Sequence, residues 1–428
     1  MNNALLSLEQ TPPIAVPLRF MLAAPFFAAL AGVVSLFHPE ALANRWNPAT
    51  LAITHLLTLG FISMVMVGSL QQLLPVLAGA RLRNPNLFSL ALCTGLMTGT
   101  LLLSSGFIWF VPLLLAAGTF ILVASFLLMI MTLLISLLRS DASLQVTLGM
   151  KLALLAFLIT LVLGAYLVAG YLIESVPLNR VLTGLHVQWG ILGWIGLLVV
   201  TVSYQVVPMF QVTPKYPNAI RTYLSPVLFV LLLLIATSRI LAESDEPDPG
   251  WLQIVLEAML LTGFFLFTGI TVRLQQLRRR KVPDVTLDYF RLGLFALVLA
   301  FIAAGLNTFQ PGLSGMEELI GILFLAGFAM SVITGMLYKI VPFLVWLHLT
   351  NSIDMSSRWQ MKIPNMKKII PVQHARNQFW MHFGALFSIA VSLWLTELSV
   401  LASLLFIGSN LYLAYNLIRG ALVYKNLA

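Results

Sequence analysis

The sequence predicts an all-α polytopic membrane protein with twelve transmembrane helices, and three observations carry this. Of 428 residues, 60% are apolar and only 9% are charged, against roughly 25% charged in soluble domains. Continuously apolar stretches of about 20 residues recur along the whole chain, the length a helix needs to cross roughly 30 Å of hydrocarbon. The basic residues collect in alternate loops. No soluble fold can hide this much apolar surface, so the lipid bilayer is the expected solvent. Only helices and closed barrels satisfy their backbone there, and these segments do not alternate in the way barrel strands do.

Taken in order, the apolar windows place helices at roughly 18–37, 50–76, 87–107, 112–138, 149–173, 182–209, 222–242, 251–273, 288–308, 317–347, 378–396 and 398–419. The loops test this count. With the N-terminus inside, the cytoplasmic side receives Arg81, Arg83, Arg139, Lys215, Arg221, Arg278, Arg279, Arg280, Lys281, Arg358, Lys362, Lys367, Lys368, Arg376 and Lys425. The other side receives only Arg45, Arg180 and Arg239, with an acidic loop of Glu243, Asp245, Glu246 and Asp248. A miscounted helix would invert every loop after it, and no loop is out of phase. Basic loops stay in the cytoplasm. Both termini are therefore expected there, and the protein in the inner membrane of a bacterium.

The net charge of +9 reads as this topology signal, so no nucleic-acid partner is expected. The longest connection, about 349–377, is basic and cytoplasmic, and a single membrane domain is expected over 1–428. Met1 to Pro17 is polar and lacks the charged start and cleavage site of a signal peptide. Cys93 is the one cysteine. No CxxC or CxxCH is present for thiolate metal sites or c-type haem attachment. Trp46, Trp109, Trp189, Trp251, Trp346 and Trp380 fall near predicted helix ends, as an aromatic belt does.

Three helices share an internal pattern. The second reads GFISMVMVGSLQQLLP, with Gly60, Gly68, Gln71, Gln72 and Pro75. The sixth reads GWIGLLVVTVSYQVVP, with Gly193, Thr201, Tyr204, Gln205 and Pro208. The tenth reads GFAMSVITGMLYKIVP, with Gly327, Gly335, Tyr338, Lys339 and Pro342. Counted back from the proline, small residues stand at 15 and 7 and a polar pair at 4 and 3 in all three. The periods are 208−75=133 and 342−208=134 residues, four helices each. The chain thus reads as repeats over about 18–138, 149–273 and 288–419. Small residues let a neighbouring helix or a flat ligand approach closely. The proline is expected to stop the helix at the cytoplasmic interface. The polar pair, one turn before it, can bond the backbone that the proline frees.

Twelve helices in a pseudo-threefold 4+4+4 arrangement resemble the catalytic subunit of haem–copper oxidases, cytochrome oxidase subunit I. The strings HLLTLGFISMVMVGSLQQLLP and HVQWGILGWIGLLVVTVSYQVVPMF resemble ligand-bearing helices two and six of that superfamily. The chain is similar also to NnrS-type membrane proteins, which carry haem and copper and are associated with nitric oxide metabolism.

His55 and His186 stand near the outer ends of helices two and six, at similar depth. Neutral imidazole is the commonest metal and haem ligand, and an ionisable residue inside a membrane helix is a functional candidate by default. Gly190 and Gly193 follow His186 at i+4 and i+7 on one face, leaving room beside the imidazole of the kind a porphyrin needs. Tyr204 shares that face, and Trp189 could border a cofactor there. Glu257 lies two turns into helix eight as a candidate proton-relay group or outer partner of a ligand histidine. Gln205, Tyr338 and Lys339 complete that candidate set, although Lys339 can instead snorkel to the interface. His38 falls in the first outer loop. His348, His374 and His382 follow no metal-binding spacing and read as interfacial residues.

The resemblance implies a haem ligand at His55 and a haem or copper ligand at His186. It also shows departures. The family's histidine pair on helix seven is absent, and so are the paired histidines of helix ten, where Met316, Glu317 and Glu318 stand instead. The cross-linking tyrosine of helix six has no equivalent, since Tyr204 lies too far inward. A conventional oxygen-reducing centre is therefore not expected. The expectation is a haem b, with copper as the variant, serving electron transfer or nitric oxide and oxygen metabolism with a membrane or periplasmic redox partner. Two other classes compete with it: a secondary transporter, and a scaffold or assembly subunit without cofactor. No Walker loop, dinucleotide-binding glycine pattern, serine elbow or HExxH is present.

Overall fold

The structure is a computed structural model that describes residues 11–78, 84–140, 144–242, 250–310, 312–352 and 363–427. Arg81, Arg83, Arg358, Lys362 and the acidic loop from Glu243 to Asp248 lie outside the described residues.

All regular elements among the described residues are helical. α1 is Ala15–Phe37. α2 runs through Pro48–His55, Leu56–Ser63 and Met64–Ala78. α3 is Pro85–Trp109, α4 Pro112–Leu138 and α5 Leu144–Leu172. α6 runs through Arg180–Gln188, Trp189–Gly196 and Leu197–Gln211. α7 is Asn218–Leu241, α8 Gly250–Gln276 and α9 Val285–Phe309. α10 runs through Met316–Ile322, Leu323–Met330 and Ser331–Ser352. α11 is Val372–Ser392 and α12 Ser399–Leu427.

Local chemistry sets the starts. Asn47, Asn179 and Asp284 accept backbone N–H bonds from Ala49, Leu182 and Thr286, which satisfies donors that a helix start leaves open. Pro48, Pro85 and Pro112 occupy first helical positions, where a missing N–H costs nothing.

Eleven of these helices are long and apolar enough to cross a membrane, so the chain is a multi-pass helical membrane protein. α11, at the place of the twelfth expected span, is not among them. Its first turns carry Gln373, His374, Arg376, Asn377 and Gln378, which shorten its apolar part.

The chain divides into two units. Unit one is built on Thr119–Val282 and holds the whole of the second sequence repeat. Unit two is built on Pro12–Gln72, Arg83–Gly118 and Pro283–Ala428, and carries most of the first repeat and all of the third.

The three motif helices share a backbone feature that the sequence pattern did not announce. Each contains an eight-residue π-helical stretch: Leu56–Ser63, Trp189–Gly196 and Leu323–Met330. Counted to the motif proline, the three starts coincide: 75−56=19, 208−189=19 and 342−323=19. These are also the most deeply buried spans, at 67, 72 and 78% against 50% or less for the rest.

The preceding helix packs on each motif helix in the same register. A Cβ on Gly60 would stand 2.6 Å from Phe27 Cβ, one on Gly193 2.9 Å from Ala156 Cβ, and one on Gly327 2.7 Å from Ala296 Cβ. The contacts at the second small position follow: Gly68 on Phe20, Thr201 on Gly149, and Gly335 on Tyr289. On the packing helix the two contacts are seven residues apart in every repeat (27−20, 156−149, 296−289), and on the motif helix they are eight apart (68−60, 201−193, 335−327). Two α turns cover about seven residues. The wider π turns take up the extra one.

The prolines do not stop these helices. α2 continues to Ala78, α6 to Gln211 and α10 to Ser352. Nor does the polar pair repair the backbone as a rule. The Gln71 amide is buried without a hydrogen-bond partner, while Lys339 Nζ bonds Asp284 and Tyr338 accepts from Asn416.

Candidate functional site

The two candidate histidines belong to different units. In unit two, His55 is the residue immediately before the Leu56–Ser63 π stretch. Its Nδ1 lies 2.7 Å from the Leu51 carbonyl, and its ring stacks on Phe107 with centroids 5.4 Å apart. A carbonyl only accepts, so Nδ1 carries the proton and the lone pair sits on Nε2.

In unit one, His186 precedes the Trp189–Gly196 π stretch by three residues. Its Nδ1 lies 3.0 Å from the Thr160 carbonyl of α5, which again places the lone pair on Nε2. Gly164 makes this possible, because a Cβ there would stand 2.8 Å from His186 Cε1. Neither Thr160 nor Gly164 stood out in the sequence. The glycine in the α5 stretch LVLGAYL was the available signal.

The two histidines are not equivalent in the repeat. His55 stands 75−55=20 residues before its proline and His186 stands 208−186=22. Position 20 of the second repeat is Gln188, whose side-chain oxygen is buried without a partner. In the third repeat it is Ile322.

Gly190 and Gly193 do lie on the face of His186, but that face is covered. A Cβ on Gly190 would meet the Thr160 methyl at 3.2 Å, and one on Gly193 would meet Ala156 Cβ at 2.9 Å. The room expected for a porphyrin beside these glycines is taken by α5. Trp189 is buried rather than part of an interfacial belt, and packs edge-on against Phe229. Trp46, Trp109, Trp251 and Trp380 are exposed, as expected of a belt.

Two observations decide how far the residues suit a haem-type group. An Nδ1–H held by a backbone carbonyl is the usual setting of a ligating imidazole, and both histidines have it. The covered glycines offer no slot for the ring. For a copper ion, no group of three His, Cys, Asp or Glu side chains converges among the described residues. The histidines fit an axial-ligand role, and the glycines do not fit a ring-binding one.

The remaining candidates are dispersed. Glu257 of α8 accepts from Arg239 Nη2 of α7 at 2.7 Å and from Gln253 at 3.0 Å, an ion pair rather than a partner of either histidine. Lys339 pairs with Asp284 at 2.6 Å. Tyr204 lies edge-on to Tyr216, a loop tyrosine whose hydroxyl bonds Thr271 at 2.8 Å. Burial raises the Tyr216 phenol well above its ordinary range, so it is neutral. Glu317 and Glu318 of α10 hold the first loop, through the Arg45 side chain at 3.2 Å and the Arg45 N–H at 3.0 Å.

His382 departs most from its sequence reading. It is buried inside unit two, with Nε2 2.8 Å from Ser331 Oγ. Ser331 is the residue that follows the third π stretch. The ring leans on Tyr289, which donates to Gln378, and Gln378 bonds the Ser409 hydroxyl at 3.1 Å. His348 and His374 are half-buried, His348 bonded to the Leu344 and Pro12 carbonyls and His374 to the Asn416 side chain.

No protein-family model matches the chain, and no curated protein matches it.

Proposed function

We propose that the chain is a haem-binding, oxidase-like membrane protein, with His55 as a haem ligand in unit two and His186 as a haem or copper ligand in unit one, serving electron transfer or nitric oxide and oxygen metabolism. One observation carries this reading. Each candidate histidine stands beside a π-helical stretch, with its Nδ1–H tied to a backbone carbonyl. π-Helical insertions collect at functional sites, and the tie fixes the ring orientation and the tautomer, as outer partners of a ligating imidazole do.

The register shared by the three π stretches supports a pseudo-threefold 4+4+4 arrangement with α11 as the twelfth span. The basic loops support cytoplasmic termini and a bacterial inner membrane. Copper at the same histidines is the variant. The chain lacks the paired histidines that a conventional oxygen-reducing centre would need.

The test is an absorption spectrum of the detergent-purified protein, air-oxidised and then dithionite-reduced, with metal analysis. A Soret band with sharp reduced α and β bands is expected, abolished or strongly shifted by His55→Ala or His186→Ala. Colourless, metal-free protein from haem-replete cells would sink the reading.

The ion pairs Arg239–Glu257 and Lys339–Asp284, both within membrane-spanning helices or at their ends, favour a secondary transporter as the second reading. That reading expects no chromophore.

A further inference from the structure

Unit one contains a cavity of about 330 Å³ where α6 ends and α7 begins, at the end of the unit that bears the basic loops. Tyr204, Gln205, Thr213, Lys215 and Arg221 line it. Two of these are the polar pair of the second repeat, which the histidine site leaves unused.

The lining carries two cations and no carboxylate. Lys215 and Arg221 are cations, and neither has a carboxylate partner among the described residues. Arg221 reaches the Asn218 side chain through Nη2, while its Nε is buried with no bond. The Tyr204 hydroxyl is buried and makes no hydrogen bond of normal geometry. The adjacent Ser225 hydroxyl is engaged by Thr201 at 3.1 Å. A buried hydroxyl and a buried guanidinium nitrogen left open are each costly, and a bound anion would satisfy both.

The loop beside the cavity is tied to more charge of the same sign. Val212 turns the chain out of α6 in a left-handed conformation, φ +54°. Its carbonyl accepts the Arg279 N–H at 3.0 Å, which ties the basic run Arg278–Lys281 to the loop that forms the cavity.

We propose that this cavity binds a phosphate group, held by Lys215 and Arg221 and by hydrogen bonds from Tyr204 and Gln205. A tetrahedral oxyanion offers more acceptor sites than a carboxylate and can engage several convergent donors. The group can come from an anionic lipid headgroup, since cationic clusters at the cytoplasmic membrane surface attract such lipids, or from a soluble phosphate.

The test titrates the whole detergent-purified protein with inorganic phosphate and, separately, with dioctanoyl phosphatidylglycerol, at constant ionic strength, reading the thermal unfolding midpoint. A saturable upward shift is expected with at least one probe. Apparent affinity should fall roughly tenfold in K215Q/R221Q and about threefold in Tyr204→Phe, the weight of lost charge-assisted and neutral hydrogen bonds. Lys215→Gln alone, at an exposed loop position, guards against misfolding of the double variant and should weaken binding on its own. A response to phosphatidylglycerol only identifies a headgroup site, and a response to inorganic phosphate identifies a soluble ligand. No saturable shift with either probe, or equal affinity in wild type and in every cation variant, overturns the proposal.

Discussion

Thr201 of α6 lies so close to Gly149 of α5 that a Cβ on the glycine would stand 2.4 Å from the threonine hydroxyl oxygen. In the first and third repeats the glycine of this contact is on the motif helix, as Gly68 and Gly335, and the larger residue is on the packing helix, as Phe20 and Tyr289. The second repeat exchanges the two roles and keeps the close approach. Close approach is therefore the property that the repeats share. Gly149→Ala should overpack the contact and cost about 1–3 kcal/mol, read from the unfolding midpoint. G149A/T201G should recover most of that, less about 1 kcal/mol for the bond from Thr201 to Ser225. An unchanged midpoint in Gly149→Ala would mean that the two helices are not held this close.

The same geometry ranks the other glycines. Gly60 would place a Cβ 2.4 Å from the Phe27 ring, Gly190 would place one 3.2 Å from a threonine methyl, and Gly321 has no heavy atom within 4 Å. Gly60→Ala should destabilise most. Gly190→Ala should be mild, because the Thr160 side chain can give by a few tenths of an ångström. Gly321→Ala should be neutral or stabilising, since alanine is favoured over glycine in a helix by up to about 1 kcal/mol. The order of the three midpoints is the check, and a Gly190→Ala loss larger than that of Gly60→Ala would contradict it.

These contacts show what was legible in the sequence. Small residues at 15 and 7 before a proline announced helix packing, and the structure places a neighbouring helix at each. The π stretches were not legible, because insertion of one residue leaves an apolar run apolar. α4 ends at both expected residues, 112 and 138. α12 runs eight residues past its expected end at 419, to Leu427, because Tyr424 and Lys425 lower apolarity without breaking a helix. The site was half legible. Histidines in apolar helices can be seen in a sequence, but the packing of α5 over Gly190 and Gly193 is a tertiary fact that helical periodicity does not contain. His382 was misplaced for a related reason: the polar start of α11 reads as a loop edge, although it packs inside unit two.

His382 and Ser331 should behave as a pair. Both are buried, and their bond joins α11 to the residue after the third π stretch. Ser331→Ala leaves the imidazole nitrogen without its partner and should cost about 1–3 kcal/mol. His382→Phe leaves the serine hydroxyl open but keeps a ring beside Tyr289, and should cost a similar amount. H382F/S331A should cost clearly less than the sum, since removing both polar partners leaves neither unsatisfied. Additive losses in unfolding measurements would mean that the bond carries no coupling.

Glu257 is the residue on which the structural and functional readings of an intramembrane carboxylate divide. Its pairing with Arg239 at 2.7 Å predicts a structural role. Both side chains are about a quarter exposed (26 and 28%), so solvent screens part of the attraction. Removing one partner still strands the other charge in a poorly hydrated setting. Glu257→Gln and Arg239→Gln should each lower stability by about 1–2 kcal/mol, and R239Q/E257Q should restore part of the loss. Recovery in the double variant shows that the carboxylate answers to the guanidinium. A Glu257→Gln variant as stable as wild type would instead free this carboxylate from a structural duty. It would then stand as the first candidate for proton coupling, and proton-dependent uptake in vesicles carrying that variant would become the decisive comparison.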